Sequence, residues 1–151
     1  MSAIHICYNA ATFTGDIAPL TTAVIPEPEN PLQTLIYTVL FTNARVALEE
    51  ALQAGLDGSE LGGHWADMFY EQSFGSKLWL LKAAKNIPVT HERARLFADA
   101  ALKQFIPTQY ARSFTVSTSR KSKTAMNIVV TALLNDGSEF TQTEEFSFAS
   151  V

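Results

Sequence analysis

Apolar residues in this chain recur first at helical spacing and then, near the C-terminus, at every second position. Leu32, Leu35, Ile36, Val39 and Leu40 fall three and four apart, which is the spacing of one buried helix stripe. Asn30 is a suitable cap for that helix and Pro31 suits its first position. Residues 44–56 (ARVALEEALQAGL) are also helix-prone, with the junction at Thr42-Asn43 left open by the pattern, and Asp57 to Gly63 has loop composition. GSKLWLLKAAK, residues 75–85, combines a small flexible start with strong helix formers and reads as a further helix. Thr90 is placed to cap the next one and Glu92 to meet its dipole; Ala94, Phe97, Ala98, Ala101, Leu102 and Phe105 repeat on one face until Pro107.

From Ala111 the period changes to two. Phe114 and Val116 stand in a Ser/Thr-rich strand, and Met126, Ile128, Val130, Ala132 and Leu134 line one face of a second. Asn135-Asp136-Gly137 signals a tight turn, and Phe140, Phe146 and Phe148 mark a third strand. Short turns between consecutive strands predict an antiparallel meander, so the fold class expected is α+β, with amphipathic helices first and a small C-terminal sheet last. Before residue 31 the pattern is weak. Ile4 to Tyr8 could form an edge strand, while Gly15, Pro19 and the run from Pro26 to Pro31 favour extended backbone. The expected organisation is an extended N-terminal arm over 1–30 and one domain over 31–151, helical over 31–106 with the meander over 111–149.

Composition narrows the function classes. A chain of 151 residues fits one domain able to bury roughly 70% of its unfolded surface, and 47% hydrophobic residues against 17% charged leaves enough apolar surface to pack within an assembly. A net charge of -4 argues against phosphate-backbone binding, and the one basic run, Arg120-Lys121-Ser122-Lys123, reads as a solvated hairpin tip. The single cysteine, Cys7, rules out an internal disulfide and a cysteine-based zinc cage. No apolar run is long enough to span a bilayer, and residues 1–10 lack the features of a signal peptide, so synthesis in a reducing cytoplasm is expected, with no membrane partner.

Candidate chemistry concentrates in GGHWADMFYEQSFGSKLWLL, residues 62–81. Asp67 and Glu71, four apart, could share a face as a glycosidase pair with Trp65 stacked on a sugar, although acids at that spacing are common on solvated surfaces. His5, His64 and His91 fall in three different elements without ligand spacing, so no metal is expected. There is no Gly-x-Ser-x-Gly elbow, phosphate loop or dinucleotide fingerprint, and Cys7 lies in the arm, so neither catalysis nor a cofactor is expected. Arg45 and Lys77 could be ion-pair partners at a subunit junction, although solvent exposure is the default for residues so placed. Trp65, Phe69, Tyr70, Phe74 and Trp79 are too many aromatics for a solvated loop and must pack inside the chain or against a partner.

Three stretches carry a resemblance to a known family. LQTLIYTVLFTNARV (32–46), GGHWAD (62–67) and GSKLWLLKAAK (75–85) resemble, in order, the apolar helix, the Gly-Trp-Trp-Gly-Asp loop and the Gly-Ser-Lys/Arg-Leu-Trp-Leu-Leu segment of the gene product 46 family of Mu-like phage baseplate proteins. The resemblance runs from about residue 30 to the end. Asn43 and Ala44 replace the family's usual Asp and Arg, His64 a tryptophan and Ala66 a glycine. The family is related to the small wedge proteins that initiate the sheath in contractile tails. The resemblance implies a non-enzymatic virion component without cofactor, located in the tail baseplate and present in several copies, six by tail symmetry. Its implied partners are other wedge proteins, the tail tube and the sheath, with interface residues among Arg45, His64, Trp65, Asp67, Phe69, Phe74, Lys77, Trp79, Phe140, Phe146 and Phe148. A tail peptidoglycan hydrolase and a free-standing small binding domain are the alternatives.

Overall fold

A computed structural model of the chain describes residues 5–9, 14–18, 31–69 and 71–149. Asn30, the expected cap, and Tyr70 lie outside the described residues. The chain divides into two compact units, Met1–Pro31 and Leu32–Val151. In the first, β1 (His5–Asn9) pairs antiparallel with β2 (Thr14–Ala18), Cys7 standing opposite Asp16. The alternation of the sequence does not signal β2.

The helix α1 (Pro31–Phe41) begins at the last residue of the first unit and, within the second, buries Leu32, Ile36, Val39 and Leu40. It ends where the Thr42 hydroxyl turns back to donate to the Thr38 carbonyl at 2.6 Å. The helix-prone segment 44–56 forms only a short α2 (Leu48–Gln53). The reason is tertiary: the backbone N–H groups of Ala44 and Val46 donate to the carbonyls of Ser76 and Leu61, and a helix there would take them away. The expected helix over 75–85 likewise contracts to a 3-10 turn, Leu78–Leu81. All four of its residues are buried, and four consecutive buried positions do not make an amphipathic helix.

The long helix α3 (Pro88–Phe105) starts two residues before the expected Thr90 cap. Pro88 takes the first turn, where its missing N–H costs nothing, and Thr90 is buried inside the helix. Ala94, Ala98 and Ala101 let α3 approach the sheet closely, next to β3 (Ser113–Arg120). β4 (Ala125–Leu133) and β5 (Glu139–Ser147) complete an antiparallel sheet of order β3-β4-β5, as the alternation predicts. Its register sets Val116, Val130 and Gln142 in one row and Phe114, Ala132 and Phe140 in another. The turn between β4 and β5 uses Gly137 at φ +86°, the left-handed conformation the Asn-Asp-Gly signal calls for.

The main core joins the buried stripes of α1 and α3 to the inner face of the sheet, with Leu78 and Leu81 between them. A smaller cluster of Val46, Ala51, Trp79 and Leu80 sits under α2. Among the described residues no helix is long and apolar enough to cross a membrane.

Candidate docking site

The three stretches singled out in the sequence meet in space around the extended segment 42–46. On one side Thr42 accepts the Ser76 N–H at 2.9 Å and Ala44 donates to the Ser76 carbonyl at 3.0 Å. On the other, Val46 donates to Leu61 at 2.9 Å and Asn43 accepts the Gly63 N–H at 2.9 Å. The segment is therefore held by backbone hydrogen bonds on both edges, although little of it has regular strand geometry. Side chains reinforce the join. The Ser76 hydroxyl donates to the last buried turn of α1 at Leu40 (2.5 Å), and the Trp79 indole N–H donates to the Ala44 carbonyl at 3.0 Å.

Two glycines are required by this closeness. A Cβ on Gly75 (φ +115°) would overlap the Thr42 carbonyl oxygen, and one on Gly62 (φ +68°) would lie 2.5 Å from that of Ala44.

Asp67 closes the loop that follows. Its Oδ2 accepts the His64 N–H at 2.9 Å and the Ser73 hydroxyl at 2.7 Å, while Oδ1 accepts the Phe74 N–H at 2.9 Å. The Ser73 oxygen in turn accepts the Arg45 N–H at 2.6 Å, tying the loop back to the central segment. The His64 backbone donor, then the Ser73 hydroxyl and the Phe74 N–H, hold the Asp67 carboxyl below its ordinary pKa. A glycosidase general acid needs the opposite shift, and both Asp67 oxygens are already engaged. Among the described residues, no group of three or more His, Cys, Asp or Glu side chains converges as a metal ligand set would.

What this stapled loop displays is a single 3-10 turn, Trp65–Phe69. Trp65, Met68 and Phe69 are 73%, 79% and 70% exposed, the three largest exposures among the big apolar side chains described. Trp65 and Phe69 meet edge to face with centroids 6.4 Å apart, and the His64 ring bridges Trp65 to Phe74, which packs on Phe105 of α3. Beside the turn an open groove of about 730 Å³ runs between Trp65, Phe74, Gln104 and Phe105.

The other sequence-selected residues separate into groups. Arg45 is exposed and borders the loop. Lys77 is half-exposed and pairs with Glu50 of α2 at 2.8 Å within the chain. Trp79, Phe146 and Phe148 are buried, and Phe140 is partly buried on the sheet's inner face. Met68 is not among the sequence-derived candidates, although Trp65, Met68 and Phe69 at positions i, i+3 and i+4 carry the signature of one helical face.

Fold and site define a small helix-then-sheet protein whose most exposed large apolar side chains, among the described residues, stand on an aromatic turn of a hydrogen-bonded loop. Comparison with known proteins places it more closely. Residues 32–139 match the family model described as phage protein GP46. The chain is 30% identical over 110 residues to the baseplate protein gp46 of Escherichia phage Mu, covering 73% of this chain and 74% of that one. It is 31% identical over 112 residues to the Mu-like prophage FluMu protein gp46 of Haemophilus influenzae, covering 73% of each. The chain belongs to the GP46 family of phage proteins. The family match ends at Glu139, the first residue of β5, short of the C-terminus to which the sequence resemblance extends.

Proposed function

We propose that this protein is a structural, non-catalytic component of the tail baseplate of a phage or phage-derived particle. The observation that carries the reading is the aromatic turn. Three large apolar side chains stand in water on a loop that hydrogen bonds of Asp67 and Ser73 tie to His64, Phe74 and Arg45, and such an arrangement preorganises a surface for a permanent neighbour. The name of the Mu relative supports the same role.

In finer detail, the turn and the adjoining 43–45 segment dock on other wedge subunits in a ring around the tail tube. The C-terminal sheet faces the sheath. β3 and β5 are its edge strands, and an edge that accepts a strand from a neighbouring chain is the simplest means by which the protein could start sheath assembly. Six copies per particle follow from tail symmetry.

Electron microscopy of particles from a producing strain lacking this gene, with and without the gene supplied in trans, tests the role. Missing or malformed baseplates restored by complementation are expected. Complete tails in the deletion strain contradict the proposal.

A further inference from the structure

The surface formed by segment 82–87 and the β3–β4 turn is basic in a chain whose net charge is -4. Lys82, Lys85, Arg120, Lys121 and Lys123 supply five of the chain's 11 lysines and arginines there. The two segments are distant in sequence and are joined by Asn86, whose side-chain amide donates to the Ser122 carbonyl at 2.8 Å and the Ala125 carbonyl at 3.1 Å. Further bonds run from Phe148 N–H to the Thr124 carbonyl (2.8 Å) and from Ala149 N–H to the Lys82 carbonyl (2.7 Å). The cations are thus mounted on backbone that is fixed at several points.

Between the segments lies an open groove of about 510 Å³ with Ala84, Ile87 and Phe148 along it and Lys85, Arg120 and Lys123 at its rim. No carboxylate lines it among the described residues. The acids of the neighbouring surface are already committed, Glu145 to Lys121 and Glu92 to Arg95. Lys85, Arg120 and Lys123 are in no ion pair among the described residues.

Like charges gathered around a partly apolar groove repel one another, and an occupant carrying carboxylates relieves that repulsion while covering Ile87, which is 47% exposed. We infer that this groove binds an acidic, partly apolar peptide segment of another protein. A nucleic-acid strand fits less well. The groove offers no exposed aromatic ring for a base to stack on, since Phe148 is buried, and the net negative charge of the chain disfavours a long polyanion. The surface is separate from the aromatic turn, and the inference does not rest on the baseplate reading.

The test uses the purified full chain and three fluorescent probes: an alternating glutamate-leucine peptide, an alternating lysine-leucine peptide and a short oligothymidylate. Anisotropy titrations are expected to show binding of the glutamate-leucine peptide alone, weakening as salt is raised. The double charge reversal Lys85→Glu/Lys123→Glu is expected to weaken it at least ~10-fold. Arg93→Glu/Arg112→Glu changes net charge equally at exposed positions elsewhere and is expected to bind as the parent does. Circular dichroism confirms that each variant is folded. Absence of peptide binding, equal loss in both double variants, or preference for oligothymidylate overturns the inference. Because no particle is involved, none of these results bears on the proposed baseplate role, and malformed tails in a deletion strain do not bear on the groove.

Discussion

Gly75 and Gly55 both have positive φ, yet they stand in different surroundings. A Cβ at Gly55 meets nothing within 4 Å, whereas one at Gly75 collides with backbone. Gly55→Ala should therefore cost only the left-handed strain, about 1 kcal/mol, and Gly75→Ala at least ~3 kcal/mol because segment 42–46 must move as well. Urea unfolding of the two variants measures the difference, and equal costs would show that the close approach of Gly75 to Thr42 does not matter. Asp67 gives a prediction with a pH signature. Its folded-state pKa lies below the ordinary value, so its contribution is present in full above the usual carboxylate range and fades as pH falls through the folded value. Asp67→Asn should lower the melting temperature at neutral pH, and the gap to the parent should close in acid, below about pH 4. A gap independent of pH would mean that the charge plays no part. At this scale the sequence revealed that the aromatics of residues 65–79 must be covered, but not by what. Trp79 is covered by its own chain because its indole reaches the Ala44 carbonyl, a contact between segments that no local pattern encodes.

Elements were legible where one period governed a whole segment. α1, most of α3 and all three strands of the C-terminal sheet follow directly from spacings of three-and-four or two. Residues 44–56 and 75–85 depart from their helix propensity because backbone pairing between 42–46, 61–63 and 76 opposes it and because 78–81 bury four consecutive side chains, both tertiary effects invisible to a local window. β5 shows a different departure. Its inner face includes Gln142, 7% exposed, whose side-chain amide donates to the Gln33 carbonyl of α1 at 3.3 Å and to the Glu144 carboxylate, while its Oε1 is buried without a partner. A buried acceptor left unpaired is destabilising, so Gln142→Met should stabilise the isolated protein by roughly 1 kcal/mol in denaturant titration. Destabilisation instead would show that the amide contributes more through Gln33 and its neighbour Glu144 than its idle oxygen costs.

At the scale of the whole molecule, the unit Leu32–Val151 carries its main core between helices and a small sheet, and the hydrogen-bonded loop outside it holds up Trp65, Met68 and Phe69. Fold class and family were readable from the sequence, the first from periodicity and the second from three short stretches now seen to be neighbours. Which aromatics faced outward was not, since exposure depends on where the Asp67 hydrogen bonds hold the turn. Exposed side chains contribute little to the stability of the free protein, so Trp65→Ser/Met68→Ser/Phe69→Ser should melt near the parent temperature while losing its place in the particle. The decisive measurement is complementation of the deletion strain with this triple variant, followed by mass spectrometry and electron microscopy of the purified particles. The proposed role predicts a folded, soluble variant that is absent from particles lacking normal baseplates. Complete tails containing the variant in parental amount would contradict it.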